Sequence, residues 1–172
     1  MKKIKWAILG AARVNEKLIP AITKSKQGEL VAIGSRRDNS AAECVKKYAP
    51  EHINNIECYK GFDLILNNKD IDAIYIPLSN EEHTETALKA IRNKKHVLIE
   101  KPMAIKSHEV QEIVTEAKKH NVKIMEGFMY VFHPQFDRIQ NIIKSSVLGE
   151  INYAHSMFSF PIQPARYYRI NR

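Results

Sequence analysis

The tripeptide Glu100–Lys101–Pro102 follows three apolar residues, Val97–Ile99, in the stretch VLIEKPMAI. A carboxylate and an ammonium at the end of a buried strand can hold a polar ligand and exchange a proton with it, while proline closes the ladder. Three other places carry groups suited to a phosphate-rich ligand. The first is the turn GAARVN, Gly10–Asn15. A dinucleotide site asks for a residue that permits a tight turn, one that lets the backbone approach a pyrophosphate, and one that lets helix and strand pack closely. Gly10 meets the first demand and Ala12 approximates the second, with Arg13 and Val14 completing the turn. Asn15, at the third position, predicts a looser helix–strand contact. The second place is Ser35–Arg36–Arg37, at the end of the next apolar run, with no acid before Asp38. An NAD site usually carries an acid there for the ribose hydroxyls, whereas a 2′-phosphate calls for basic or small polar groups. The expected cofactor is therefore NADP, with NAD as the alternative. The third place is IPLSNEEH, where Leu78 closes the strand, Asn80 reads first as a helix N-cap and second as a ligand contact, and His83, in the first helical turn, is either a packed or solvated residue or a cofactor-side group.

The elements that must position these residues alternate regularly. IKWAILG, ELVAIGSRR, IECYKG, DAIYIPL, HVLIEK and KIMEGF read as strands, with helical patterns between them. After Asn80, the residues Thr84, Ala87, Leu88 and Ile91 recur at helical spacing. Ser107 caps a helix with the stripe Val110, Ile113, Val114 and Ala117, which ends at Asn121. Continuous apolar strands with one helix between each pair predict a doubly wound parallel sheet, a Rossmann-type α/β domain over residues 1–125. Such sheets bind ligands beyond the carboxyl ends of their strands, where Glu100–Lys101–Pro102 lies. From Glu126 onward the pattern changes. An amphipathic helix after Pro134, with Phe136, Ile139, Ile142 and Ile143 on its stripe, precedes a long strand, INYAHSMFSFPI. Residues 126–172 are thus expected to begin a second, incomplete α+β domain with an antiparallel sheet.

The ordered set AILGAARV, VAIGSRR, DAIYIPLSNEEH, HVLIEKPMA and MEGFMYVFHPQ resembles the glucose–fructose oxidoreductase/inositol dehydrogenase/MocA (Gfo/Idh/MocA) family of nicotinamide-dependent dehydrogenases. The resemblance implies hydride transfer between NAD(P) and a hydroxyl-bearing carbon of a sugar, inositol or related polyol. It implies that Lys101 hydrogen-bonds the reacting hydroxyl, that Glu100 lies beside the nicotinamide and its ribose, and that Pro102 fixes the strand end. Tyr130 is a candidate to face the substrate, though its hydroxyl could equally serve packing. Two departures stand out: Ala12 and Asn15 replace a glycine and a small residue, and Val131 stands where many relatives are basic. The family's later glycine-rich turn and Asp…His segment find no match after Tyr167–Tyr168. The chain is therefore expected to bind cofactor but not to turn over substrate alone, and the full-length protein to form a homo-oligomer.

Bulk properties narrow the remaining classes. No apolar run approaches the ~20 residues that a membrane helix needs, and Gly10 interrupts the only apolar run near the basic start. Cys44 and Cys58 lack metal spacing, as do the histidines, so no metal is expected, and the cysteines read as reduced thiols of a cytoplasmic protein. The net charge of +8 is scattered as pairs such as Lys46–Lys47 and Lys94–Lys95, near helix ends and turns where water and the helix dipole suit them. A nucleic-acid surface would gather that charge into one stripe with interleaved aromatics. The competing reading is a non-catalytic dinucleotide-binding fragment or regulatory module.

Overall fold

The structure, a computed structural model, describes residues 2–161. Six strands form one parallel sheet in the order β3-β2-β1-β4-β5-β6. They are β1 (Ile4–Leu9), β2 (Gly28–Ser35), β3 (Glu57–Lys60), β4 (Ala73–Ile76), β5 (His96–Ile99) and β6 (Ile124–Glu126). Helices α1 (Asn15–Thr23), α2 (Ser40–Tyr48), α3 (Asp63–Asn67), α4 (Asn80–Arg92) and α5 (Ser107–Lys119) connect them in turn. Strand order reverses beside β1, and the crevice at that reversal is where doubly wound sheets bind ligands.

Both faces are covered at the centre of the sheet, which is why β4 and the ends of β1 and β2 are buried without alternation, whereas the edge strands β3 and β6 are partly exposed. Side chains still alternate along β1. Ala7 and Leu9 pack with Ile76, Ile91, Ile99 and Ile113 on one side, while Ile8 packs with Ile19, Ile33, Val45 and Tyr75 on the other. The helical stripes expected for α4 and α5 supply much of the first layer.

Helix ends depart from expectation by one residue at two caps. Ser79, not Asn80, is the extended N-cap of α4, and Asn80 is the first helical residue. Lys106, not Ser107, precedes α5, and its backbone N–H donates to Glu109 Oε2 at 2.9 Å. In both cases the residue before the expected cap has the extended conformation that a cap requires. Asn121 adopts a left-handed φ of 54° just past α5, in keeping with the expected stop. Lys95 corrects the picture of uniformly solvated lysine pairs. It is 3% exposed, and its Nζ donates to the carbonyls of Asn68 and, at 2.8 Å, Ile71. Burial pushes its pKa down.

The chain divides into two units, one ending at Phe128 and one beginning at Met129. Gly127 N–H donates to Ile99 O at 2.7 Å, which ties the end of β6 to β5 and keeps those residues with the sheet. In the second unit a short 3-10 turn (Met129–Phe132) leads into α6 (Pro134–Lys144). The His133 side chain caps α6 by accepting from Gln135 N–H at 3.1 Å, and Tyr130 meets Phe136 edge-on at 5.6 Å. The long strand expected from Ile151 is not formed over residues 151–161. A strand persists only in a ladder, and residues 129–161 contain no second strand to pair with. Ile162 and Tyr167–Tyr168 lie outside the described residues.

Candidate active site

The turn after β1 is built around Gly10. Its φ of +129° suits glycine, and a Cβ there would meet Leu78 Cδ2 at 2.9 Å. Gly10 N–H donates to Gly34 O at 2.8 Å, which joins the ends of β1 and β2. Asn15 corrects the expected looseness. It is wholly buried, and its Nδ2 donates to Gly10 O at 2.8 Å, with Cys44 Sγ at 3.4 Å. Bulk at that position braces the turn instead of loosening it. Asn15 Oδ1 is buried without a hydrogen-bond partner.

Beyond this turn opens a cavity of about 290 Å³ whose wall includes Gly10, Ala12, Ser35, Arg36, Arg37 and Leu78. Six of the residues singled out in the sequence therefore meet in one place. Ser35 is buried and its Oγ accepts from Arg37 N–H at 3.2 Å. Arg37 Nη2 donates to Ala11 O at 3.2 Å. Arg36 pairs with Glu82 and lies over the Phe62 ring, 5.9 Å from its centroid. Glu82 Oε2 accepts from Ser79 Oγ at 2.6 Å. Burial raises the Glu82 pKa, but the bonds from Ser79 and Arg36 outweigh it and hold the carboxyl below its ordinary value. Sequence reasoning missed Glu82 and Phe62, which come from different connections and share no spacing signal with the arginines. A neighbouring cavity of about 240 Å³ is lined by Arg13, Arg37, Ser40, Glu43 and Lys47, among others. Val14 and Asn80 are absent from both walls.

Glu100 and Lys101 stand at the carboxyl end of β5. Buried Tyr75, on β4, donates its hydroxyl to Glu100 Oε1 at 2.7 Å. Burial and that carboxylate push the tyrosine pKa up, so it remains a donor. Tyr75 went unremarked in the sequence because it sits inside an apolar run, although its parallel partner Leu98 is two residues before Glu100. Gly127 lets β6 approach: a Cβ there would lie 3.3 Å from Glu100 Oε1.

Lys101 itself is exposed, and its ammonium has no hydrogen-bond or ion-pair partner among the described residues. The loop beneath it is pinned on both sides. His83 is completely buried, with Nδ1 2.6 Å from Pro102 O and Nε2 3.2 Å from Leu78 O. Only a ring N–H can meet a carbonyl at the shorter distance, so Nδ1 carries a proton. Met103 N–H donates to Glu126 Oε1 at 2.8 Å. His83 thus ties the Leu78 loop to the Lys101 loop and is absent from the walls of both cavities described above. Tyr130 belongs to the second unit.

A larger cavity, about 550 Å³, opens beside Ile71, Asp72 and His96, where β4 and β5 begin. It lies at the wrong end of the sheet for the chemistry above. Among the described residues no cluster of three or more histidine, cysteine or acidic side chains could hold a metal, and no helix is long and apolar enough to cross a membrane.

With this geometry in place, similarity to known proteins is decisive. The sequence pattern of the oxidoreductase family with an NAD-binding Rossmann fold, GFO_IDH_MocA, matches residues 4–128. The chain belongs to the Gfo/Idh/MocA family. The dTDP-3,4-didehydro-2,6-dideoxy-alpha-D-glucose 3-reductase of Actinomadura kijaniata is 29% identical over 162 residues, which are 94% of this chain and 47% of that one. A D-xylose 1-dehydrogenase (NADP(+)) of Haloferax volcanii is 33% identical over 90% of this chain and 46% of its own. Among solved structures, the 3-ketoreductase KijD10 of Actinomadura kijaniata, in complex with NADP and TDP-benzene, superposes with a TM-score of 0.78. That match is at 29% identity and covers 87% of this chain and 45% of KijD10. This Gfo/Idh/MocA chain spans about half the length of the curated relatives it matches.

Proposed function

We propose that these residues bind NADP in preference to NAD, for hydride transfer to or from a hydroxyl-bearing carbon of a sugar, inositol or related polyol. The observation that carries the cofactor reading is the meeting of Gly10, Ser35, Arg36 and Arg37 around one strand-end cavity. The residues fit the group. Gly10 and Ala12 leave the turn open to a pyrophosphate, and the end of β2 offers guanidinium groups and a serine where a ribose-binding acid would otherwise stand. NADP in the relative's name and in the KijD10 complex supports the same choice.

When bound, the nicotinamide supplies the hydride acceptor or donor. The residues of this chain supply position and a proton path. Lys101 stands on a loop fixed by His83 and Glu126, with its amine free to meet a substrate hydroxyl. As the carbon gives up hydride and its oxygen becomes a carbonyl, the Lys101 nitrogen would relay the hydroxyl proton. In reduction the ammonium returns it. Glu100, oriented by Tyr75, would supply a polar wall beside the nicotinamide ribose. The relatives named for dTDP-dideoxyglucose and D-xylose chemistry support a carbohydrate substrate.

No residue of α6 or of residues 145–161 is buried, so we propose that this chain binds cofactor without turning over substrate unaided. Titration calorimetry of the chain with NADP and with NAD tests the reading. Tighter binding of NADP is expected; equal affinities would sink the preference, and no heat with either would sink the cofactor site. Lys101→Met is expected to leave NADP affinity nearly unchanged, because the amine serves the substrate. A sugar panel followed by nicotinamide absorbance is expected to stay silent, and Lys101-dependent turnover would overturn the inactivity.

A further inference from the structure

Arg36 and Arg37 are adjacent in sequence and look interchangeable there, yet their surroundings differ. Arg36 is ion-paired to Glu82 and spread over Phe62. Glu82 is in turn fixed by the Ser79 hydroxyl, so the guanidinium is ion-paired at the side of the cavity lined by Phe62, Leu78 and Ser79. Arg37 has no carboxylate partner among the described residues. Asp38, the acid nearest to it in sequence, is taken by Lys60 at 2.7 Å. Arg37 also stands in the wall shared by the two cavities, and the second adds Arg13, Ser40 and Lys47 against the single carboxylate of Glu43.

We infer that Glu82 divides the work of the two arginines: it commits Arg36 to the adenine face of the cofactor and leaves Arg37, with Arg13, Ser40 and Lys47, to take the 2′-phosphate. This rests on the NADP reading above. An aromatic ring and a neutralised guanidinium make a wall on which a base can stack, whichever cofactor carries it. A guanidinium without a counter-ion gains most from a dianionic phosphate, because no existing pair must be broken first. Glu82 is therefore a positioning residue. It acts by withholding Arg36 from the phosphate.

The test compares NADP and NAD affinities by calorimetry across four variants, each checked for a cooperative unfolding transition well above the assay temperature. Arg37→Ala is expected to weaken NADP by about ten- to a hundredfold and NAD hardly at all. Arg36→Ala is expected to weaken both by a similar factor, on the order of tenfold or less. Arg37→Lys, which keeps charge but loses the planar fork, is expected to keep part of the preference. The diagnostic variant is Glu82→Gln added to Arg37→Ala. Release of Arg36 is expected to restore part of the lost NADP preference, and that recovery should shrink as salt rises. If Arg36→Ala removes the preference selectively, the two roles are reversed. If the double variant recovers nothing, Glu82 holds nothing back. A wild-type chain without NADP preference would refute the cofactor reading itself, so the two failures are distinguishable.

Discussion

Residues up to Phe128 and residues 129–161 contain similar apolar side chains and end with opposite burial. In the first unit Ile8, Ile33, Ile74, Ile76 and Ile99 are wholly out of water. In the second, Ile139 and Ile143 on α6 are about half exposed, and Phe158 is 90% exposed. The stripe on α6 is as well spaced as that on α4, so periodicity alone does not decide burial. The difference is in what each helix packs on: α4 has a sheet beneath it and α5 beside it, whereas among the described residues of its own unit α6 packs on the short 3-10 turn. Apolar pattern specifies a face, and burial requires something for that face to meet. The cavity lined by Gly10, Ser35, Arg36 and Arg37 lies wholly in the first unit.

The largest effect that separates the two regions is on stability. Ile99→Ala, at a fully buried position of β5, is expected to destabilise the chain by about 2–5 kcal/mol. Ile143→Ala on α6 is expected to change it by roughly 0.5 kcal/mol or less. Urea unfolding followed by the fluorescence of Trp6, which lies in β1, measures both. Comparable losses would show that α6 is buried in solution and that the contrast between the units is wrong.

A middle-sized effect probes the site. Asn15→Ala removes the donor to the Gly10 carbonyl inside a buried turn, and is expected to cost about 1–3 kcal/mol of stability. NADP affinity should fall with it, since the same turn forms the cavity wall. Retained stability together with retained affinity would mean that the Asn15 brace is dispensable.

The sheet was legible because most strands and helices carried two independent signals, an apolar run or stripe and a punctuating turn; β3, Glu57–Lys60, was read mainly from its place in the alternation. The doubly wound arrangement could be argued from the handedness of crossovers, and the six strands lie in one parallel sheet. The residues lining the cavity were legible where they follow strand ends, as Gly10, Ser35, Arg36 and Arg37 do. Glu82, Phe62 and Tyr75 were not. Each comes from a different connection or strand, and its role depends on where the chain returns in space. Asn15 was misread for a related reason. Its size was counted as an obstacle to packing, but its amide found the Gly10 carbonyl. The strand from Ile151 was read from alternation, which states a preference for a ladder without supplying a neighbour.

The smallest expected effect concerns the Glu82–Arg36 pair and its response to acid. Burial alone would raise the Glu82 pKa, yet Ser79 and Arg36 bring it below the ordinary value. A carboxyl depressed in the folded state binds fewer protons there than in the unfolded chain near its titration. Its stabilising contribution is therefore fully present above the unfolded glutamate pKa of about 4.3. It is lost as pH falls through the lower, folded value. Wild type should exceed Glu82→Gln in stability by a constant margin from neutral pH down to about pH 5, and the margin should close under stronger acid. Because Arg36 is largely exposed, the margin should be under about 1 kcal/mol and should narrow with salt. Unfolding midpoints of the two proteins across a pH series measure it. A margin that widens on acidification would mean that Glu82 is stabilised as the neutral acid, and the neutralised Arg36 on which the division of the two arginines depends would be lost with it.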